Sequence, residues 1–329
     1  MKVVLTDYSW PLDIEKKALD NIGAQMVIPG SDDPLSVLSA IKDADVIIQS
    51  GFKITKDCID SLENCKAIVH TGIGVDTIDV KAATEKGIIV ANVVGHCYDE
   101  VTIHTLALLL SAWRKIVISD NQVRNNQWSR KNLKPIFRLS GAVLGIIGFG
   151  NIGRELARKV KPLGLATLVY DPYQTEKENS KFGTELVGLE ELCTRSDIIS
   201  IHCPLTEKTK HLIGRKELDL MNEHTYIINT ARGAIINEEA LIDALQKNKI
   251  AGAALDVLEK EPPDYENPLL KLSNVILTPH QAFYSEESIM ELRKGSINAC
   301  IKVLTNRWPD SVVNPVVMSN SKHKEVDKM

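Results

Sequence analysis

"LGIIGFGNIGRELARKV", Leu144–Val160, decides how the chain around it folds. An apolar run leads into glycines at 148, 150 and 153 and then into a segment of helical periodicity. The run reads as a buried parallel strand and Arg154–Val160 as a helix, so the glycines fall on the strand-to-helix turn. There Gly148 allows a tight turn, Gly150 lets a pyrophosphate approach the backbone, and Gly153 lets helix and strand pack closely. The phosphates then fall on the helix N-terminus. Glycines also mark ordinary turns. What separates this stretch from one is a second strand, "ATLVYD", ending in Asp171, eighteen residues beyond Gly153, where a carboxylate can bind an adenosine ribose. Strand, turn, helix and acid together predict a dinucleotide-binding βαβ unit.

The rest of the chain is long enough to give that unit a companion. Its 329 residues, 44% of them hydrophobic, provide for about two domains with their own cores. A formal charge of −4 and a pI near 6.1 offer no electrostatic case for nucleic acid or an anionic membrane, which leaves a small molecule as the expected partner. Six cysteines, at 58, 65, 97, 193, 203 and 300, form no C-x-x-C pair and no metal-ligand spacing with histidine. They predict reduced thiols in a cytoplasmic protein and no metal site. The opening "MKVVLTDYSW" reaches Asp7 too soon for the apolar region of a signal peptide. "VTIHTLALLLSAW" is shorter than a membrane span and carries His104, so a core or interface helix is expected. The final "SNSKHKEVDKM" is polar and aperiodic, as a disordered tail would be.

Short apolar runs recur between helical stretches. "KVVLT", "AQMVI", "DVIIQ", "KAIVH" and "GIIVAN" predict a first α/β unit without a glycine fingerprint. A long helix from about Asp99 to Ile116 follows, and then a polar arm, "SDNQVRNNQWSRKNLKP", whose Trp128 suits contact with a second subunit. "AVLGIIG", "LATLVYD", "DIISIH", "HTYIINT", "IAGAALDV" and "NVILTP" continue the alternation. After Ser288 a last helix has the apolar spacing to return to the first unit. The expectation is an α/β protein of two doubly wound domains. Residues 1–98 and 288–329 would form a discontinuous, flavodoxin-like substrate domain, 99–287 a Rossmann domain, with a cleft between them.

Polar residues gather where the second set of strands ends. Arg232 follows "TYIIN", Asp256 and Glu261 follow "IAGAAL", and His280 follows "NVILTP". A histidine after proline is more often structural than catalytic, and a lone charge on a loop is usually solvated. Three such places on the face where the glycine turn sets a cofactor form a coherent set. Reducing a keto acid needs a fixed cation for carboxylate and carbonyl oxygen, which a guanidinium supplies with paired donors. It also needs a proton donor, the usual task of histidine, oriented by a neighbouring carboxylate.

"GIIGFGNIGRE", "YDPY", "SIHCPLTEKTKHLI", "INTARGAIINEEAL", "AGAALDVLEKEP" and "TPHQAFYSEES", with "HTGIGVDTIDVKAATEKGI" and "CYDEVTIHTLALLLSAWRK", make the chain resemble the NAD-dependent D-2-hydroxyacid dehydrogenase family up to about Asn314. "DIEKKAL", Cys97 to Glu100 and "YSEES" bring it nearest to the C-terminal binding protein-like subgroup. The resemblance implies Arg232, Glu261 and His280 as the catalytic set, and Asp256 as holder of the nicotinamide carboxamide. NAD would further meet Asn151, Ile152 and Asp171, then His202, Pro204 and Thr209 on the adenine side, and Thr230, Ala231, Arg232 and His280 near the nicotinamide. The loop containing Ile73 and Gly74 would offer N–H groups to a substrate carboxylate, and dimers would form through residues 99–142.

Two departures bear on substrate. Phosphoglycerate dehydrogenases carry arginines where this chain has Gln49 and Gly51, and often continue into a regulatory domain, so a phosphoglycerate substrate is disfavoured. The co-repressor subgroup has arginine at the place of His70 and tryptophan at that of Phe283, both facing the substrate pocket. The expected activity is hydride transfer at C2 of a small 2-hydroxy or 2-keto acid. The alternatives are an NAD-responsive co-repressor-like binding module and oxidation of a non-carbon donor such as phosphite.

Overall fold

Parallel strands covered on both faces read as continuous apolar runs, and the chain is built from such runs. The computed structural model describes residues 1–7, 10–30 and 33–319, so the tail expected at the C-terminus lies, beyond Ser319, outside the described residues. The chain divides into two compact units, Met1–His96 with Ser285–Met329, and Cys97–Tyr284.

The first unit holds β1 (Lys2–Leu5), β2 (Gln25–Val27), β3 (Val46–Gln49), β4 (Ala67–His70) and β5 (Ile89–Asn92). Their order is β2-β1-β3-β4-β5 and every pairing is parallel, a flavodoxin-like arrangement. On one face, Leu19 of the Asp13–Asp20 helix and Ile297, Cys300 and Val303 of the Glu286–Leu304 helix join Val3, Val46 and Val69. On the other, Val37, Ile59 and Ala83 join Val4, Ile47 and Ile68. The returning C-terminal helix begins at a Ser285–Ser288 capping box. A buried guanidinium ties it to the N-terminal segment: Arg293 donates to Glu15 at 3.0 and 2.8 Å and to Asp13 at 2.7 Å. Such a bidentate pair fixes geometry, and removing one partner would strand a buried charge.

The second unit contains β6 (Val143–Ile147), β7 (Ala166–Tyr170), β8 (Glu185–Leu186), β9 (Ile198–Ile201), β10 (Tyr226–Asn229), β11 (Gly252–Leu255) and β12 (Val275–Leu277). The order β12-β11-β10-β9-β6-β7-β8 is parallel throughout and reverses direction between β6 and β9, the doubly wound pattern that places ligands at strand C-terminal ends. The sequence reading missed β8, because two residues are too few to show a period.

One expectation is corrected. The segment expected as one long helix and a polar arm is two helices, Tyr98–Trp113 and Ile116–Arg124, separated at Lys115, whose φ is +54°. The second of them buries no residue, so it lacks the apolar stripe by which a helix is recognised in sequence. Among the described residues no single helix is long and apolar enough to cross a membrane.

Candidate functional site

The glycine turn is built as its sequence requires. Gly148 has φ +90°, and a Cβ there would lie 2.5 Å from the Cys203 nitrogen; one on Gly153 would lie 2.4 Å from the Gly148 carbonyl oxygen. Strand, helix and the next strand end can meet this closely only over bare backbone. Gly150, the N-cap of the Asn151–Val160 helix, faces open space and supplies no side chain to the helix's first N–H groups. This uncapped, uncrowded terminus fits an anion. Asp171 is tied to it, since its carboxylate accepts from the Phe149 N–H at 2.8 Å and from the Tyr173 N–H at 2.9 Å. The Asn151 amide donates to the Tyr98 hydroxyl at 2.9 Å, and Ile152 sits half-buried in the first turn.

Around it stand the turns that follow β9 to β12. After β9, the His202 imidazole is bonded to Ser200 at 2.8 Å, and burial pushes it down to about 4, so the ring is neutral near pH 7. The Thr209 hydroxyl donates to the Pro204 carbonyl at 2.6 Å and closes that loop. After β10, buried Asn229 folds the next turn: its Oδ1 accepts from the Ala231 N–H at 3.0 Å and its Nδ2 donates to the Arg232 carbonyl at 2.9 Å. The Arg232 guanidinium donates to the Ala231 carbonyl at 2.8 Å. Gly233 then packs directly on the backbone of Leu258 and Glu259.

Glu261 and His280 meet in this group. Glu261 Oε2 lies 2.6 Å from His280 Nδ1, its Oε1 accepts from the Leu258 N–H at 2.9 Å, and the two side chains are 35% and 42% exposed. Burial works against the charged Glu261. The His280 bond and charge, the Leu258 N–H and the charge of Arg232 outweigh it and hold the carboxyl below its usual range. A histidine so paired keeps Nε2 for exchange with a ligand, and a guanidinium in the same field can hold an anion. Phe283 stands edge-on to His280, ring centres 6.3 Å apart.

His280 has φ +49°, a strained value for a residue with a side chain. Asp256, 2% exposed, holds it there. The Asp256 carbonyl accepts the His280 N–H at 2.8 Å, and its carboxylate accepts the Gln281 and Ala282 N–H groups at 3.0 and 2.8 Å and the Thr278 hydroxyl at 2.5 Å. Asn229 and Thr278 were not singled out from sequence; the visible signal was a polar residue closing one apolar strand and another directly after a second.

His70, Ile73 and Gly74 belong to the first unit. His70 ends β4, 6% exposed, with Nδ1 2.9 Å from the Gln49 amide nitrogen, which also donates to Thr77 at 3.0 Å. The Ile73 carbonyl accepts from Asn92 at 2.7 Å, and Gly74 follows in the same turn.

The family model for "D-isomer specific 2-hydroxyacid dehydrogenase, NAD binding domain" matches residues 106–282. A D-3-phosphoglycerate dehydrogenase of Methanocaldococcus jannaschii is 42% identical over all of this chain, which spans 62% of that protein's length. A glyoxylate reductase of Thermococcus litoralis is 37% identical over 82% of this chain and 83% of its own. The crystal structure of D-lactate dehydrogenase from Aquifex aeolicus, complexed with NAD and lactic acid, superposes with a TM-score of 0.85 at 27% identity, covering 95% of this chain and 99% of the other.

Proposed function

We propose that this chain, which belongs to the D-isomer specific 2-hydroxyacid dehydrogenase family, transfers a hydride between the nicotinamide of NAD and C2 of a small 2-keto or 2-hydroxy acid. The observation that carries the reading is the 2.6 Å His280–Glu261 pair, standing in the field of Arg232 among the strand-end turns of the NAD-binding unit. When bound, NAD supplies the two-electron hydride chemistry. The Gly148–Gly153 turn and the helix N-terminus would hold its pyrophosphate, Asp171 its adenosine ribose, His202, Pro204 and Thr209 its adenine side, and Thr230, Ala231 and Asp256 its nicotinamide end.

The remaining work falls to protein groups. Arg232 binds the substrate carboxylate and the C2 oxygen with its forked donors. His280 gives a proton from Nε2 to that oxygen in reduction and takes it back in oxidation, while Glu261 accepts the Nδ1–H and stabilises the imidazolium. The Ile73 and Gly74 backbone, His70 and Phe283 contribute to substrate recognition. Gln49 and Gly51 stand where phosphoglycerate dehydrogenases carry arginines. The Gln49 amide nitrogen is committed to His70 and Thr77, and the N–H groups of Ser50, Gly51 and Phe52 are taken up by the Asp7 carboxylate. This favours an unphosphorylated acid. The exposed Ile116, Val117, Val123, Trp128 and Phe137 favour a homodimer that covers this face, and six free thiols favour the cytoplasm.

Turnover tests the reading: NADH against 2-keto acids including glyoxylate, hydroxypyruvate and its phosphate ester, and NAD against 2-hydroxy acids and phosphite. Reduction of a small keto acid is expected, with a loss of about a hundredfold to ten-thousandfold in His280→Ala. NADH binding without turnover on any of them would favour the binding-module alternative.

A further inference from the structure

The Tyr98–Trp113 helix carries a histidine that the mechanism above does not use. His104 Nε2 lies 3.0 Å from Thr278 Oγ1 and 3.5 Å from Asp256 Oδ1. The proton positions in this group follow from its geometry. Each Asp256 oxygen accepts a backbone N–H, from Gln281 and from Ala282, so the carboxylate acts as acceptor alone. The Thr278 hydroxyl therefore donates its single proton to Asp256 Oδ1, and its oxygen is left to accept from His104 Nε2–H. The result is a donor chain running one way, from His104 through Thr278 to Asp256. Asp256 is also the group around which the turn carrying His280 is wrapped.

The neighbouring residue does the same for the other turn. The Thr105 hydroxyl donates to the Val101 carbonyl at 2.7 Å, so at 2.8 Å its oxygen accepts from the hydroxyl of Thr230, two residues before Arg232. Two consecutive side chains of one helix thus engage the turns after β10 and β12.

We infer that His104 is a positioning residue: through Thr278 and Asp256 it holds the His280 turn and with it the alignment of the His280–Glu261 pair. The inference rests on the proposed role of His280 in proton transfer. Bonds in such a part-buried chain, ending on a buried carboxylate, polarise and strengthen one another, and an apolar residue at 104 would leave the Thr278 oxygen without its donor.

The first readout is the imidazole Nδ1–H proton resonance of His280, which a short bond to a carboxylate shifts downfield, assigned by its loss in His280→Asn. It should weaken in His104→Leu, return in His104→Gln, whose amide keeps an N–H donor, and weaken in Thr278→Val, which keeps the shape and removes the hydroxyl. The second readout is kinetic. His104→Leu and Thr278→Val should each lower kcat about tenfold with the NADH dissociation constant within about twofold, and the double variant should be no worse than either alone. Glutamine should restore kcat to within about threefold. An unchanged His280 resonance in His104→Leu, or failure of glutamine to restore it, overturns the inference. Should His104→Leu fail to fold, Thr278→Val reads the same chain. If the resonance responds as expected while the wild-type protein turns over no keto acid, the proposed function fails and the positioning role stands.

Discussion

Gly233→Ala puts the assembly of the proposed site to a direct test. An added Cβ would lie 1.9 Å from the Leu258 carbonyl carbon, 2.1 Å from its oxygen and 2.4 Å from the Glu259 nitrogen. Carbon atoms in contact sit about 3.5–4.0 Å apart, so the Arg232 turn and the Glu261 turn must separate by roughly 1.5 Å. The obstacle is backbone, and no side-chain rotation relieves it. Whichever turn yields, Arg232 and Glu261 move apart. If the Leu258 side yields, Leu258, whose N–H anchors Glu261 at 2.9 Å, is displaced, and a shift of that size takes the 2.6 Å His280–Glu261 contact to about 4 Å, beyond hydrogen-bond range; if the Arg232 side yields, the guanidinium is drawn away from the pair by a similar distance. Misplacement by about 1 Å can cost a hundredfold in rate, so kcat should fall by about that factor, some 2.7 kcal/mol in barrier. The fold should lose about 1–3 kcal/mol, as for other overpacked positions. Steady-state NADH oxidation with the keto acid found by the turnover panel measures the first effect, and urea denaturation the second. A folded Gly233→Ala protein with kcat within threefold of wild type would refute the claim that this backbone contact sets the spacing of the site.

Other substitutions separate the parts of the cofactor reading. Gly150→Ala meets open space and should melt like wild type yet bind NADH at least about tenfold more weakly, because a methyl group intrudes where the pyrophosphate approaches; unchanged affinity in a fluorescence titration would remove the phosphate from that turn. Asp171→Asn keeps an acceptor for the Phe149 N–H and removes the charge that repels a 2′-phosphate, so the NAD-over-NADP preference in kcat/KM should shrink by tenfold or more. An unchanged ratio would mean that selectivity lies elsewhere. Glu261 has a carboxyl held below its ordinary value of 4.5, so its pairing contributes stability that is present above that value and lost as pH falls through the lowered one. The stability gap between wild type and Glu261→Gln should accordingly narrow as the pH falls below about 4.5, as read from denaturation midpoints; a gap that widens over that acid range would contradict the sign.

The glycine turn and the acid after the second strand were legible because their chemistry is local. Gly148 must adopt a positive φ, Gly153 must let a helix lie on the strand that precedes it, and Asp171 must end the next strand. Each requirement acts within one βαβ unit and so leaves its mark within a short span of residues. The polar residues at Arg232, Asp256, Glu261 and His280 could be picked out for the same reason, as interruptions at the ends of apolar runs. What each does was decided by the parallel pairing of β9 to β12, which gathers turns far apart in the chain. Asp256 had an expected role toward a cofactor. Folding also gives it the donors of residues 278, 281 and 282, and so the conformation of His280. Gly233 carries no signal in its own neighbourhood, because the backbone it must admit is that of Leu258. In the sequence His104 told only against a membrane span, since its partners, Thr278 and Asp256, lie more than 150 residues away. Side-chain type and local period determine which turns and strands form. Hydrogen bonds across strand ends determine which polar groups act together, and no local pattern records them, because the distance they span exists only once the sheet is closed up.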